Sequence, residues 1–373
     1  MSIVIAIDSF KGSLTSMEAA EAVKAALLDY GMDNAITIPI ADGGEGTVAA
    51  FLAGGRGEWI REEATDPLGR QIIAHYGWVE EDKIAIIECA AASGITLLKE
   101  EELDPWEATS YGTGQLMQAA IAKGARKIIV GLGGSAVIDG GMGMLEALGA
   151  TFFDKEGSRL KPNGASLGKV ASISLSGLPD VSIEVASDVT NPLLGEKGAV
   201  SFFGKQKGLK PEDRAAFERN MEHYARIVAG AVHKDCSGLI GSGAAGGLGF
   251  AFHSFFPSRF SSGFDLLAEK INLDGLIRNA SLVITGEGRM DEQSLHGKVP
   301  GGIGKLAKRH GKPVVAFTGK VDIDANVAKR EGIDAILPIV NGPMSLEEAM
   351  EHAPALLYEA ACRMCQLMKL TFD

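Results

Sequence analysis

SIVIAIDSFKGSLTSMEAAEAVKAALLDYG, residues 2–31, sets the architecture of this chain. Residues 2–7, apolar from Ile3 onward, read as a short buried strand, and a helix follows at once. Thr15-Ser16-Met17-Glu18 has the spacing of a capping box, in which the threonine hydroxyl and the glutamate carboxylate satisfy each other's backbone N–H. Ala20, Val23, Leu27 and Tyr30 then share one helical face, and Gly31 closes the helix. Strand followed by helix opens an α/β fold.

The same alternation returns after residue 280. It predicts strands at 282–285, 313–318 and 335–339 and helices at 301–310, from Ala325 and from Ser345. Between these regions the pattern changes. Residues 71–79 (QIIAHYGWV) and 83–89 (KIAIIEC), joined by Glu80-Glu81-Asp82, read as a β-hairpin, which breaks strict βα order. Strands at 127–132 and 183–186, short helices near 114–123 and 142–148, and a charged amphipathic helix at 211–232 follow. The expected fold class is therefore α/β with two domains. Residues 1–64 and 281–373 make a discontinuous Rossmann/flavodoxin-like parallel-sheet domain, residues 65–280 an inserted mixed-sheet α/β domain, and the active site is expected in the cleft between them.

Composition narrows the function. A chain of 373 residues exceeds the usual size of one core. Its net charge of −12 argues against a nucleic-acid partner, which needs a basic face. Apolar stretches such as 128–132 are too short to span a bilayer, and the first residues lack a basic leader, so a cytoplasmic protein without a membrane role is expected. Cys89, Cys236, Cys362 and Cys365 are too scattered for a disulfide framework, and the 362–365 CxxC falls in a helical pattern without redox context. The seven histidines are dispersed, which disfavours a zinc site.

Chemistry-bearing residues gather at strand ends. Asp8-Ser9-Phe10-Lys11-Gly12-Ser13 occupies the crevice position of an open α/β sheet, where Lys11 can hold a phosphate and Asp8 can orient it or bind a hydrated metal. Asp42-Gly43-Gly44-Glu45 sets two carboxylates around paired glycines, fit for magnesium, for a hydroxyl, or simply for a helix start. Asp66-Pro67-Leu68-Gly69-Arg70 reads as a turn, with Arg70 as a carboxylate fork. Gly133-Gly134-Ser135 follows a strand and is the best anion cradle in the chain, although no Walker loop occurs anywhere. Thr285-Gly286-Glu287-Gly288-Arg289-Met290-Asp291 reads as a charged turn after a strand, with Lys298 ahead of the next helix.

Taken in order, these segments resemble the bacterial glycerate kinase type 1 family. The match runs through Ile5–Ser13, Ala41–Gly46, Asp66–Arg70, Gly131–Ser135, Ser187-Asp188-Val189 with Asn191-Pro192-Leu193, Gly241–Gly247, Thr285–Arg289 with Asp291, and Gly297-Lys298. Met290 and Ser294 stand where the family often has leucine and threonine. The resemblance implies transfer of the ATP γ-phosphoryl group to D-glycerate, mainly giving 2-phosphoglycerate, with ATP and Mg2+ as cofactors. Under it, Asp188 and Lys11 are the expected catalytic residues, Asp188 as acceptor of the hydroxyl proton. Asp8, Ser9, Arg70, Gly133, Gly134, Ser135, Asn191, Glu287, Arg289 and Lys298 bind substrate or phosphate, and Asp42, Glu45 and Asp291 carry magnesium. Assembly into a homo-oligomer stays open.

Two rivals stand beside this reading. Gly241-Ser242-Gly243-Ala244-Ala245-Gly246 fits G-x-G-x-x-G, which points to an NAD-dependent hydroxy-acid oxidoreductase provided that a strand feeds the turn. A non-catalytic acid sensor would instead have lost the charged residues, and they are present.

Overall fold

A computed structural model describes residues 2–41, 43–53, 57–295 and 298–370. The chain runs β1 (Ile3–Ile5), β2 (Ala35–Thr37), β3 (Glu58–Thr65), β4 (Gln71–Val79), β5 (Ile84–Glu88), β6 (Lys127–Gly131), β7 (Thr151–Phe153), β8 (Ser172–Ser174), β9 (Ser182–Ala186), β10 (Ser258–Ser261), β11 (Leu282–Met290), β12 (Val314–Val321) and β13 (Ala335–Pro338), with helices between. It divides into two compact units, residues 1–42, 49–54 and 264–373 in the first and residues 43–48 and 55–263 in the second.

The first unit holds a parallel five-stranded sheet in the order β13-β12-β11-β1-β2. Numbered within the unit, this is the 2-1-3-4-5 order of flavodoxin-like folds, with its switch point between β1 and β11. The apolar run of β1 is continuous because both sheet faces are covered. Ile3, Ile5 and Ile7 pack with Ala20, Val23 and Leu27 of the helix Ser16–Asp29 and with Leu357 and Ala361 of the helix Ala353–Met368. Val4 and Ala6 face the opposite way, in one cluster with Leu267, Ile303 and Ala307. Helix Ser16–Asp29 starts on the expected capping box: Glu18 N–H donates to Thr15 Oγ1 at 3.2 Å, and Thr15 N–H to Glu18 Oε2 at 2.9 Å. Cys365 is buried on the last helix, in keeping with a packing role.

The second unit is built on a six-stranded sheet in the order β10-β9-β6-β5-β4-β3, antiparallel from β3 to β5 and parallel from β5 to β10. The hairpin of β4 and β5 is the one legible in the sequence. Two readings change. Residues 58–65 form an edge strand, β3, whose exposed Glu58, Arg61 and Glu63 hide its strand character. Residues 286–290 are not a turn but the second half of β11, because they pair with β12 from Gly286↔Phe317 to Met290↔Val321.

Candidate active site

In the first unit the charged residues collect at the carboxyl ends of β1 and β11. Asp8 N–H donates to the Gly286 carbonyl at 2.9 Å, which extends the β1–β11 register and brings Asp8 level with Glu287. Paired residues of parallel strands point to the same face, here the one covered by the helix Val299–Arg309 with Lys298 as its N-cap. Asp8 is 6% exposed and its Oδ1 accepts the Ser9 N–H at 2.7 Å. Glu287 is 7% exposed, and its Oε1 has no hydrogen-bond partner. Burial pushes the Glu287 carboxyl above its ordinary range, while a Ser294 hydrogen bond and the charges of Lys298 and Lys11 pull it back. The exposed Lys11 lies in the turn Phe10–Leu14, which crosses β11 where Gly288 has no side chain: a Cβ there would sit 3.4 Å from Phe10 Cα. Arg289 is exposed and pairs with Asp322 at 2.7 Å, with Asp291 at 3.9 Å. Asp291 is half-buried, and its N–H donates to Ser294 Oγ at 2.9 Å.

The second unit carries its own cluster at the ends of β5, β6 and β9. The glycines that end and follow β6 serve first a backbone crossing: a Cβ on Gly131 would meet the Gly43 carbonyl oxygen at 2.6 Å, and one on Gly133 the Gly44 Cα at 2.5 Å. Gly133 N–H donates to the Gly43 carbonyl at 3.3 Å, so this N–H is already used. Gly134 is exposed at φ +73°, and Ser135 is buried. Asp188 stands half-buried just past β9, and the exposed Glu45 follows the crossing. Asp139 is fully buried and accepts from Ser110 N–H and Oγ, Gly141 N–H and Gly143 N–H.

Two residues escaped the sequence. Glu88 ends β5, and its carboxylate accepts N–H groups of Gly46, Thr47 and Val48, the last at 2.7 Å. Burial raises its pKa to about 7. An acid at the end of an apolar strand was the available signal. Lys207 is 2% exposed and reaches Ser135 and Val137; its Lys205-Gln206-Lys207 context reads as a solvated face.

Other candidates have different occupations. The Arg70 guanidinium is bound by Asp66 and by Glu102 at 2.7 Å, while Asp66 also accepts the Leu68 and Arg70 N–H groups, which is the turn reading of this segment. Asn191 Nδ2 donates to the Lys197 carbonyl at 2.7 Å, closing a loop. Asp42 lies outside the described residues. Among the described residues no three His, Cys, Asp or Glu side chains form a metal-holding group. A nucleotide-associated magnesium needs only one or two carboxylates beside phosphate oxygens and water, so a hard oxygen donor such as the half-buried Asp291 fits it. Among the described residues no strand feeds the Gly241–Gly246 segment, which follows the exposed Leu239 and Ile240. Its glycines let backbones touch: a Cβ on Gly246 would lie 1.9 Å from the Val137 carbonyl oxygen. No helix among the described residues is long and apolar enough to cross a membrane.

Parallel strands ending in buried acids, lysines and glycine turns define an α/β enzyme acting on small anions. Comparison with known proteins gives the family. Residues 3–369 match the model of the glycerate kinase family, to which this chain belongs. It is 42% identical to the glycerate 2-kinase of Escherichia coli K12, covering 97% of this chain and 96% of that one. It is 40% identical to a glycerate kinase of Bacillus subtilis 168, over 99% and 98% of the two chains. A crystal structure provisionally named glycerate kinase 2, from Salmonella typhimurium LT2, superposes with a TM-score of 0.85 at 39% identity, over 99% and 98% of the chains. Nothing in these comparisons favours the oxidoreductase reading.

Proposed function

We propose that this protein is an ATP-dependent glycerate kinase of the cytoplasm that transfers the γ-phosphoryl group to the 2-hydroxyl of D-glycerate. Family membership supports the reaction class, and the observation that carries the reading is Glu287: a buried carboxyl with an unpartnered oxygen at the β1/β11 switch point, under the influence of Lys11 and Lys298. Phosphoryl transfer asks a protein to position anions and neutralise charge, and this inventory suits that task. Lys11, Lys298 and the Gly133–Ser135 turn hold phosphate oxygens. Arg289, whose guanidinium is exposed and engaged on one edge by Asp322, takes the glycerate carboxylate in preference to Arg70, which two acids already occupy. Asp188 accepts the hydroxyl proton. Asp42, Glu45 or Asp291 would hold magnesium, which would supply positive charge to offset that of the phosphate oxygens.

The test is ADP release from ATP and magnesium, with and without D-glycerate. Glycerate-dependent release supports the reading; release that ignores glycerate, or NADH formation from NAD and glycerate, rejects it.

A further inference from the structure

Lys207 ends the turn Lys205–Lys207 and is buried in the core of the second unit. Its ammonium donates to Ser135 Oγ at 2.8 Å and to the Val137 carbonyl at 2.9 Å. Both acceptors are neutral. The titratable groups facing it are the Cys89 thiol and the Asp139 carboxyl, and Asp139 already accepts four hydrogen bonds of its own. Holding a charge in such a place costs folding free energy that a methionine of similar size would avoid. The fold alone gives no return for that cost.

Ser135 supplies one. A hydroxyl has one hydrogen to give and two lone pairs to accept with. With Lys207 donating to it, Ser135 is fixed as an acceptor on its inner side, and its hydrogen is directed to another acceptor. The cation also polarises the O–H bond and strengthens it as a donor. This happens in the Gly133–Ser135 turn, whose Gly134 is exposed. We propose that Lys207 is a positioning residue for phosphoryl transfer, holding the Ser135 hydroxyl as a donor to an anionic oxygen of the substrates. The inference rests on the reading of the Gly133–Ser135 turn as an anion site.

Burial lowers the Lys207 pKa to about 8 and raises that of Cys89 to about 12, so Lys207 loses its proton first as pH rises. The test combines Lys207→Met, Ser135→Ala and their double variant, assayed for kcat and both KM values from pH 6.5 to about 9.5, with circular dichroism and melting as folding controls. Each single variant is expected to lose about 30-fold in kcat/KM, with the double variant no worse than the worse single. Wild-type activity is expected to fall as pH rises through about 8, and Ser135→Ala to lack that limb. A folded Lys207→Met within about threefold of wild type overturns the proposal, as do losses that multiply in the double variant. Should Lys207→Met fail to fold, the alkaline limb decides: if Ser135→Ala keeps it, Lys207 does not act through Ser135. A Ser135→Ala enzyme at the wild-type rate rejects the turn as an anion site, whereas a damaged Ser135→Ala beside an intact Lys207→Met rejects Lys207 alone.

Discussion

Asp8 stands level with Glu287 on one face of the β1–β11 pair, tied there by the Asp8 N–H to Gly286 carbonyl bond of 2.9 Å. Burial and the neighbouring charge of Asp291 disfavour the ionised form of Glu287, and such a carboxyl is kept where cationic groups or ligands offset the charge. Lys11 and Lys298 are those groups for Glu287.

Glu287→Gln keeps the shape and removes the charge. The variant is expected to melt no lower than wild type, because burial already disfavours the ionised form, and to lose about 100-fold in kcat/KM. Thermal melts and steady-state kinetics on one preparation check both. A variant with near-wild-type turnover removes Glu287 from the site.

Glu88 gives a pH dependence with a defined sign. Its folded pKa, raised to about 7 from 4.5, means that the protonated form is the one favoured by folding. Its contribution to stability is present in full below about pH 4.5 and is lost as pH rises through about 7. The difference in unfolding free energy between wild type and Glu88→Gln is therefore expected to shift by about 3 kcal/mol against wild type between pH 4 and pH 8. Denaturant titrations across that range measure it, and a flat difference contradicts the assignment.

Much of this was legible beforehand, and the failures have physical causes. The Thr15 capping box, the β4–β5 hairpin and the apolar β1 run are local signals, and each stands where periodicity placed it. Strand β3 was hidden because an edge strand tolerates charge on its open face. The turn reading of 286–290 failed because pairing to β12, a contact remote in sequence, extends the strand through its glycines. For the site, strand-end clusters could be read from residue types, but Lys207 could not, since burial of a lysine is decided wholly by tertiary packing.

The glycines that end and follow β6 answer to backbone crossing, which separates them from ordinary glycines. Gly131→Ala puts a methyl 2.6 Å from the Gly43 carbonyl oxygen and is expected to cost roughly 2–4 kcal/mol. Gly230→Ala, inside the helix Arg214–Val232 with open space around it, is expected to gain about 0.5–1 kcal/mol. Chemical denaturation of both variants checks the contrast.

Arg70 and Arg289 have opposite expectations. Arg70→Ala breaks ties to Asp66 and Glu102 and is expected to leave the glycerate KM within about threefold. Arg289→Ala is expected to raise that KM by about 10-fold or more, through loss of a charge-assisted contact. Saturation kinetics in glycerate separate them, and a reversed order assigns the carboxylate to Arg70.

Asp188→Asn tests the proton acceptor. With its fold intact, the variant is expected to lose about 100-fold or more in kcat. A change of only a few fold gives the role to another group.

The central claim is most directly tested by phosphorus NMR of the product made from ATP, magnesium and D-glycerate. Phosphorylation at C2 couples phosphorus to a single proton and gives a doublet; at C3 it couples to a methylene and gives a triplet. A new phosphomonoester doublet, growing in step with ADP, is the result predicted. A triplet contradicts the proposed position of transfer, and the absence of any glycerate-dependent phosphomonoester contradicts the kinase itself.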